Sequence, residues 1–279
     1  QPPLELSNTS DLVGAQSTLS ELTLGGLTKW FESQGWTPFP YQIQVWQAMQ
    51  SGASGLLHAT TGAGKTLAVY GGALLHCALQ PKSRSKCTRV MWITPMRALA
   101  ADSHKALSAA SQAMVKDCTV GLQTGDTPAA ERAALLRSPP FAWVTTPESL
   151  TLMLTREASL QALTRLDVLV VDEWHELIGN KRGVQLQLAI ARLVKLNPGL
   201  QVWGLSATLG NLQQAMDTLL YPVRLANKAS LVQGKLPKKL VIDSLIPPSF
   251  ERFPWGGHLG LKQVELVASE IDQSASTLV

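Results

Sequence analysis

Positions 59 to 66 read Ala59-Thr60-Thr61-Gly62-Ala63-Gly64-Lys65-Thr66, a short stretch holding two glycines, an ammonium and three hydroxyls. Gly62 and Gly64 let the backbone turn its N–H groups outward, and a helix starting near Lys65 aims its positive dipole end at the same point. Such a loop can cradle a polyphosphate tail. Lys65 would then neutralise the β and γ phosphates, the Thr66 hydroxyl would hold Mg²⁺, and Thr61, Gly62, Ala63 and Gly64 would supply amides. The usual pattern has Gly where Ala59 stands.

A second reactive string, Asp172-Glu173-Trp174-His175, directly follows the apolar run Val168-Leu169-Val170-Val171. A strand there delivers Asp172 to the mouth of a sheet, where its carboxylate would hold Mg²⁺ through water and Glu173 would polarise the attacking water. A glycine turn before an ordinary helix, or a solvated acidic loop, would account for either string alone. The ordered pair instead predicts nucleoside triphosphate binding by a motor, with Lys65, Asp172 and Glu173 as the catalytic set.

These groups need a scaffold that brings the loop after one strand beside the tip of another. Short apolar runs recur at Gly55 to His58, Val90 to Thr94, Thr119 to Leu122, Phe141 to Thr145, Val168 to Val171 and Val202 to Leu205, separated by helical stretches. Strands alternating with helices predict an α/β fold, a parallel sheet with helices on both faces, whose strand ends share one ligand-binding edge. The segment Lys65 to Leu79 is apolar on nearly every side and reads as a buried helix despite Gly71-Gly72.

The stretch from Val184 to Leu196 alternates like a strand at Val184, Leu186, Leu188 and Ile190, yet Leu186, Ala189, Ile190, Leu193 and Val194 form a helical stripe. Its Ala and Gln content and the Asn197-Pro198-Gly199 stop predict helix. Beyond about residue 222 the texture turns basic and proline-punctuated, through Lys235, Lys238, Lys239 and Pro247-Pro248, and reads as a connection rather than more sheet. An amphipathic helix, roughly Leu259 to Ile271, follows, and Thr277-Leu278-Val279 could open another strand.

Of the 279 residues, 45% are hydrophobic and 16% charged, which describes an ordinary globular chain and argues against disorder. The net charge of +4 suits a polyanionic partner without requiring one. Cys77, Cys87 and Cys118 are odd in number and lack metal-ligand spacing, so a reducing, cytoplasmic setting is expected. No stretch approaches the ~20 apolar residues of a membrane helix, so no membrane partner is expected. A chain that begins with Gln1 rather than Met reads as a piece of something longer.

The two strings resemble motifs I and II of the superfamily 2 helicases of the DExH type, and other motifs match in order. Gln42, followed by Trp46, is similar to the glutamine motif that reads adenine. Thr94-Pro95-Met96-Arg97-Ala98-Leu99 is similar to motif Ia, Gln123-Thr124-Gly125-Asp126 to the Thr-Gly pair, Thr145-Thr146-Pro147-Glu148 to motif Ib, and Ser206-Ala207-Thr208 to motif III. The finer resemblance is to the Lhr group, in particular its ligase-associated type, through Asp172 to Leu177, Lys181-Arg182-Gly183-Val184, and the string from Glu251 to Gly260.

That resemblance implies a RecA-like domain of the P-loop NTPase kind over 29–222, preceded by an N-terminal segment, 1–28. It implies a linker and the start of a second RecA-like domain over 223–279. It also implies ATP and Mg²⁺ as ligands and single-stranded DNA as the track, with RNA or a hybrid as the alternative. DNA repair proteins and the second motor domain are the implied protein partners.

Arg97, Gly125 and Thr146 would grip strand phosphates. Lys181 and Arg182 either contact the strand or cap a helix start. His175 would couple the nucleotide site to Ser206 and Thr208. Trp30 and Trp36 either flank the adenine or join the core, where most of the eight tryptophans are expected. No string resembles motifs IV to VI, so these residues alone are expected to bind nucleotide weakly and hydrolyse it very slowly. About three phosphate contacts would give a single-strand salt slope of only about −2.

Overall fold

The computed structural model describes residues 18–80, 87–223, 228–234, 243–245 and 264–277. Seven strands, β1 (Ser54–Ala59), β2 (Val90–Ile93), β3 (Val120–Gln123), β4 (Ala142–Thr145), β5 (Val168–Val171), β6 (Gln201–Ser206) and β7 (Ala229–Gly234), form one sheet in the order β3-β4-β2-β5-β6-β1-β7. Every pairing is parallel. The helices are α1 (Leu24–Ser33), α2 (Pro40–Gln50), α3 (Lys65–Leu79), α4 (Arg97–Met114), α5 (Ala129–Arg137), α6 (Pro147–Leu154), α7 (Glu157–Ala162), α8 (Lys181–Leu196), α9 (Leu212–Leu220) and α10 (Val264–Gln273). This is the expected RecA-like arrangement.

Strand side chains alternate between two apolar layers, as the period of two requires. Leu57, Trp92, Val168 and Val170 join a core with residues of α1, α2, α3 and α4, while Leu56, Ile93, Leu169 and Val171 join one with α6, α8 and α9. Trp46, Trp92, Trp143, Trp174 and Trp203 are all fully buried, so the core expectation for most tryptophans holds. Trp46, Trp174 and Trp203 satisfy their indole N–H groups on the carbonyls of Ala68, Ala215 and Ala53, which removes the cost of burying a donor. Trp36, by contrast, is half exposed.

Two expectations about domain limits change. The connection predicted from 223 contains β7, which pairs with β1 from Ser54↔Ala229 to Ala59↔Gly234 and completes the sheet edge. Gly55 permits that pairing, because a Cβ there would lie 2.3 Å from the Ser230 carbonyl oxygen. At the other end, α1 begins before 29, and its Leu27 is fully buried among the α2 and α3 side chains. The compact unit accordingly runs to Leu236, and Pro237–Val279 forms a second unit.

In that second unit the helix expected roughly from Leu259 to Ile271 is helical in α10 from Val264 onward, and its first residues, 259–263, lie outside the described residues. The basic residues Lys235, Lys238 and Lys239, Trp255, the string from Glu251 to Gly260 and the terminal Leu278-Val279 lie outside the described residues. Among the described residues, no helix is long and apolar enough to cross a membrane.

The helical reading of 184–196 holds in α8, where Leu186, Ala189, Ile190 and Leu193 are buried and Val184 and Leu188 face outward. Its first turn is tight: a Cβ on Gly183 would lie 2.1 Å from the Leu177 carbonyl oxygen. Backbone cannot yield as a flexible side chain does. Gly183→Ala is therefore expected to destabilise the fold by about 1–3 kcal/mol, read as a lower urea midpoint with an unchanged slope.

Candidate functional site

The carboxyl ends of β1, β5 and β6 meet at one edge, where β1 lies beside β6 through the pairs Leu57↔Leu205 and His58↔Ser206. β6 in turn lies beside β5 through Val171↔Gly204. The loop after β1 and the acidic string after β5 therefore face a common crevice, with the β6 tip between them. Open parallel sheets bind ligands at this position.

Gly62 and Gly64 both adopt left-handed backbone, at φ 77° and 80°, and Gly64 is the residue from which α3 departs. The first-turn amides of α3 lack intrahelical acceptors, so they are available to an anion. Lys65 is buried, and its ammonium donates to the carbonyls of Ala59 (2.9 Å) and Thr60 (3.2 Å). Thr61 is exposed, Ala63 buried, and Thr66 half-buried at the start of the helix.

The loop is braced from α2 in a constant register. Tyr41 Oη donates to the Ala63 carbonyl, Gln42 Nε2 to Gly64 (3.2 Å) and Trp46 Nε1 to Ala68 (2.9 Å). Gln42 Oε1 also accepts from the Phe39 amide (2.9 Å). The residue expected to read adenine is thus nearly enclosed and fixes the loop. Burial pushes the Tyr41 phenol up to about 12, which keeps it a donor. Tyr41 escaped the sequence reading; its one signal was its place beside Gln42. Phe39, whose ring stacks 5.8 Å from that of Tyr41 and stays partly exposed, escaped it too.

After β5, Asp172 Oδ1 accepts from the Glu173 amide (3.0 Å) and Oδ2 from Trp92 Nε1 (3.3 Å). Burial, and then the neighbouring Glu173, push the Asp172 carboxyl up to about 6, against the two hydrogen bonds and Lys65. Glu173 is the single non-glycine residue with positive φ among those described, at 45°, a conformation that costs of order 1 kcal/mol. Its Oε2 is buried and lies 3.3 Å from His175 Nδ1 without hydrogen-bond geometry. His175 Nδ1 in turn is 3.1 Å from Ser206 Oγ. Thr208 lies on the exposed turn beyond β6, and among the described residues no hydrogen bond joins it to His175.

Two crowded carboxyl groups and an unsatisfied buried oxygen fit a site completed by a divalent cation. Thr66, in the first turn of α3, and Asp172, directly after β5, are the residues that would hold it.

Towards β3 and β4, the predicted strand-gripping residues gather on the same edge. Arg97 Nη1 donates to both Asp126 carboxylate oxygens at 2.6 Å, with both side chains well exposed, so the pair is worth at most about 1 kcal/mol and can exchange. Gly125 lets the guanidinium approach, since a Cβ there would meet Arg97 Nη2 at 3.1 Å. Thr146 caps α6, accepting from the Ser149 amide at 3.5 Å.

Of the two readings for Lys181 and Arg182, helix capping is excluded: Asn180 caps α8, accepting from Arg182 and Gly183 amides at 2.9 and 3.1 Å. Lys181 is exposed, whereas Arg182 pairs with Glu148 (2.5 Å) and donates to the Pro95 carbonyl. Burial raises the Glu148 carboxyl, but the Arg182 hydrogen bond and charge outweigh it and hold it below the usual carboxylate value.

Residues 39–215 match the family model described as DEAD/DEAH box helicase. The chain is 35% identical over 215 residues to the Lhr helicase/probable uracil glycosylase of Mycolicibacterium smegmatis, covering 73% of this chain and 14% of that protein. It is 35% identical over 197 residues to the Lhr helicase/uracil glycosylase of Escherichia coli, covering 64% of this chain and 13% of that one. Among solved structures, Mycobacterium smegmatis helicase Lhr bound to ssDNA and AMP-PNP superposes with a TM-score of 0.65 at 31% identity, over 80% of this chain and 29% of that one. The chain therefore spans less than a third of each of these proteins.

Proposed function

Given that the chain belongs to the DEAD/DEAH box helicases and is similar to Lhr proteins within them, we propose that it is the first motor domain of an ATP-dependent helicase that moves on single-stranded DNA. The observation that carries this reading is the juxtaposition of the loop after β1 with the acidic string after β5 across the β6 tip. The ligase-associated subtype, a role in DNA repair with repair-protein partners, and a cytoplasmic setting belong to the same reading. Three free cysteines suit the last.

Lys65, the α3 amides and Thr66 would hold the triphosphate, and Thr66 and Asp172 would hold Mg²⁺. When bound, the metal supplies positive charge to the phosphate oxygens. Glu173 would orient the attacking water and take its proton on the carboxylate. His175, between Glu173 Oε2 and Ser206 Oγ, links the base to the β6 tip, where a change at the γ phosphate would be felt first. Arg97, Gly125, Thr146, Lys181 and Arg182 would carry the strand, phosphates replacing Asp126 and Glu148 as acceptors. A hydrogen bond to a charged group contributes about 1.5–3 kcal/mol, so Lys65→Ala is expected to weaken binding of a fluorescent ATP analogue with Mg²⁺ by roughly 10- to 100-fold. Equal affinity of the two proteins would rule the loop out as the nucleotide site.

The second reading is an RNA track, because Arg97, Gly125 and Thr146 would grip phosphates, which the two polymers share, rather than a 2′-hydroxyl. Competition between DNA and RNA oligonucleotides for ATPase stimulation, in the longest natural chain containing these residues, separates the two. DNA as the track is supported by the ssDNA-bound Lhr structure.

A further inference from the structure

Beside the strand-gripping residues, a cavity of about 70 Å³ opens between the end of β3, α5, α6 and the start of α7. The hydroxyl residues Thr124, Ser149 and Ser159, all buried, lie in its wall, and Arg132 and Arg156 line it with Gly125. Among the described residues, no carboxylate lines it. Neither arginine forms an ion pair with any described residue, in contrast to Arg97 and Arg182 on the same edge. Two guanidinium groups over a hydroxyl-bearing wall match the oxygens of a phosphodiester, which accepts forked hydrogen bonds. The space is large enough to admit phosphate oxygens.

The cavity is continuous with the predicted strand path. Gly125 belongs to both, since it lies against the Arg97 guanidinium. Ser149, in the cavity wall, has its hydroxyl 3.3 Å from Thr146 Oγ1. A strand held at Arg97 and Thr146 thus passes the mouth of the cavity within the next backbone units.

We infer that this cavity is an additional phosphate subsite of the nucleic-acid track, held by Arg132 and Arg156. The inference rests on the strand-binding reading above and extends it to residues outside the recognised motifs. Two more contacts, at roughly 0.7 each, steepen the single-strand salt slope from about −2 to about −3.5.

The test is fluorescence anisotropy of a labelled twenty-nucleotide oligo-dT against the 279-residue chain in a KCl series. The double variant Arg132→Ala/Arg156→Ala is expected to flatten the slope by about 1.4, and Arg132→Lys/Arg156→Lys to restore most of it because the charge remains. Both changes are at the cavity rim, and a melting temperature equal to wild type checks that the fold is kept. A slope unchanged in the alanine double variant but flattened by Arg97→Ala overturns the subsite and leaves the strand reading standing. A slope unchanged by either removes both.

Discussion

Glu173→Gln is expected to lower ATP turnover by roughly 10²–10⁴ while leaving ATP bound, because the amide matches the carboxylate in shape but cannot accept the proton of the attacking water. The geometry sharpens this expectation. Glu173 holds left-handed backbone at φ 45°, and its Oε2 is buried without a hydrogen-bond partner, so the structure bears two costs at one residue. Costs of that kind persist where surrounding structure enforces them, here the Asp172 carboxylate below and the Trp174–Glu176 turn above. Steady-state ATPase with single-stranded DNA, measured in the longest natural chain containing these residues and paired with filter binding of labelled ATP, reads the two effects apart. Wild-type turnover in the variant would remove Glu173 from the role of base.

Asp172→Asn is expected to do two things at once: abolish metal-dependent turnover and make the nucleotide-free protein more stable. The Asp172 carboxyl stands at about 6 against an ordinary 3.8, so the folded chain holds its proton more tightly than the unfolded one. An acid raised in this way costs nothing below its unfolded value, and stability falls as pH rises from about 4 to about 6. Each tenfold gain in proton affinity corresponds to about 1.4 kcal/mol, so at neutral pH the charged form destabilises the fold by up to about 3 kcal/mol. Asn resembles the protonated acid in carrying no charge, and its single oxygen accepts from one of the two donors, the Glu173 amide or Trp92 Nε1. A chain of this size gains about 2–4 °C per kcal/mol, so melting at pH 7 should rise by several degrees, up to roughly 10 °C. The gain should shrink towards pH 4, where wild-type Asp172 is largely protonated. A variant that melts below wild type at pH 7 would mean that burial and Glu173 do not strain this carboxylate.

Both effects come from one arrangement, in which stability is given up locally at Asp172 and Glu173, the residues proposed to meet a cation and a water. Tyr41, Gln42 and Trp46 hold the opposite wall through the Ala63, Gly64 and Ala68 carbonyls. The exchangeable Arg97–Asp126 pair and the Arg132/Arg156 cavity continue the same edge towards β3.

Features written in local strings were legible from the residues alone. Gly62 and Gly64 announced a loop that turns its amides outward, the apolar run before Asp172 announced a buried strand, and Lys65 to Leu79 matched α3 residue for residue. In each case backbone conformation or periodicity is fixed by neighbours a few residues away. The identity of β7 came only with the folded chain, because this six-residue strand with small ends is defined by pairing with β1 from far along the sequence. The same holds for the enclosure of Gln42, the pairing of Arg182 with Glu148 rather than a helix cap, and the proton affinity of Asp172. Each depends on desolvation or on a partner brought from another element, and neither is encoded in the spacing of residues along one segment.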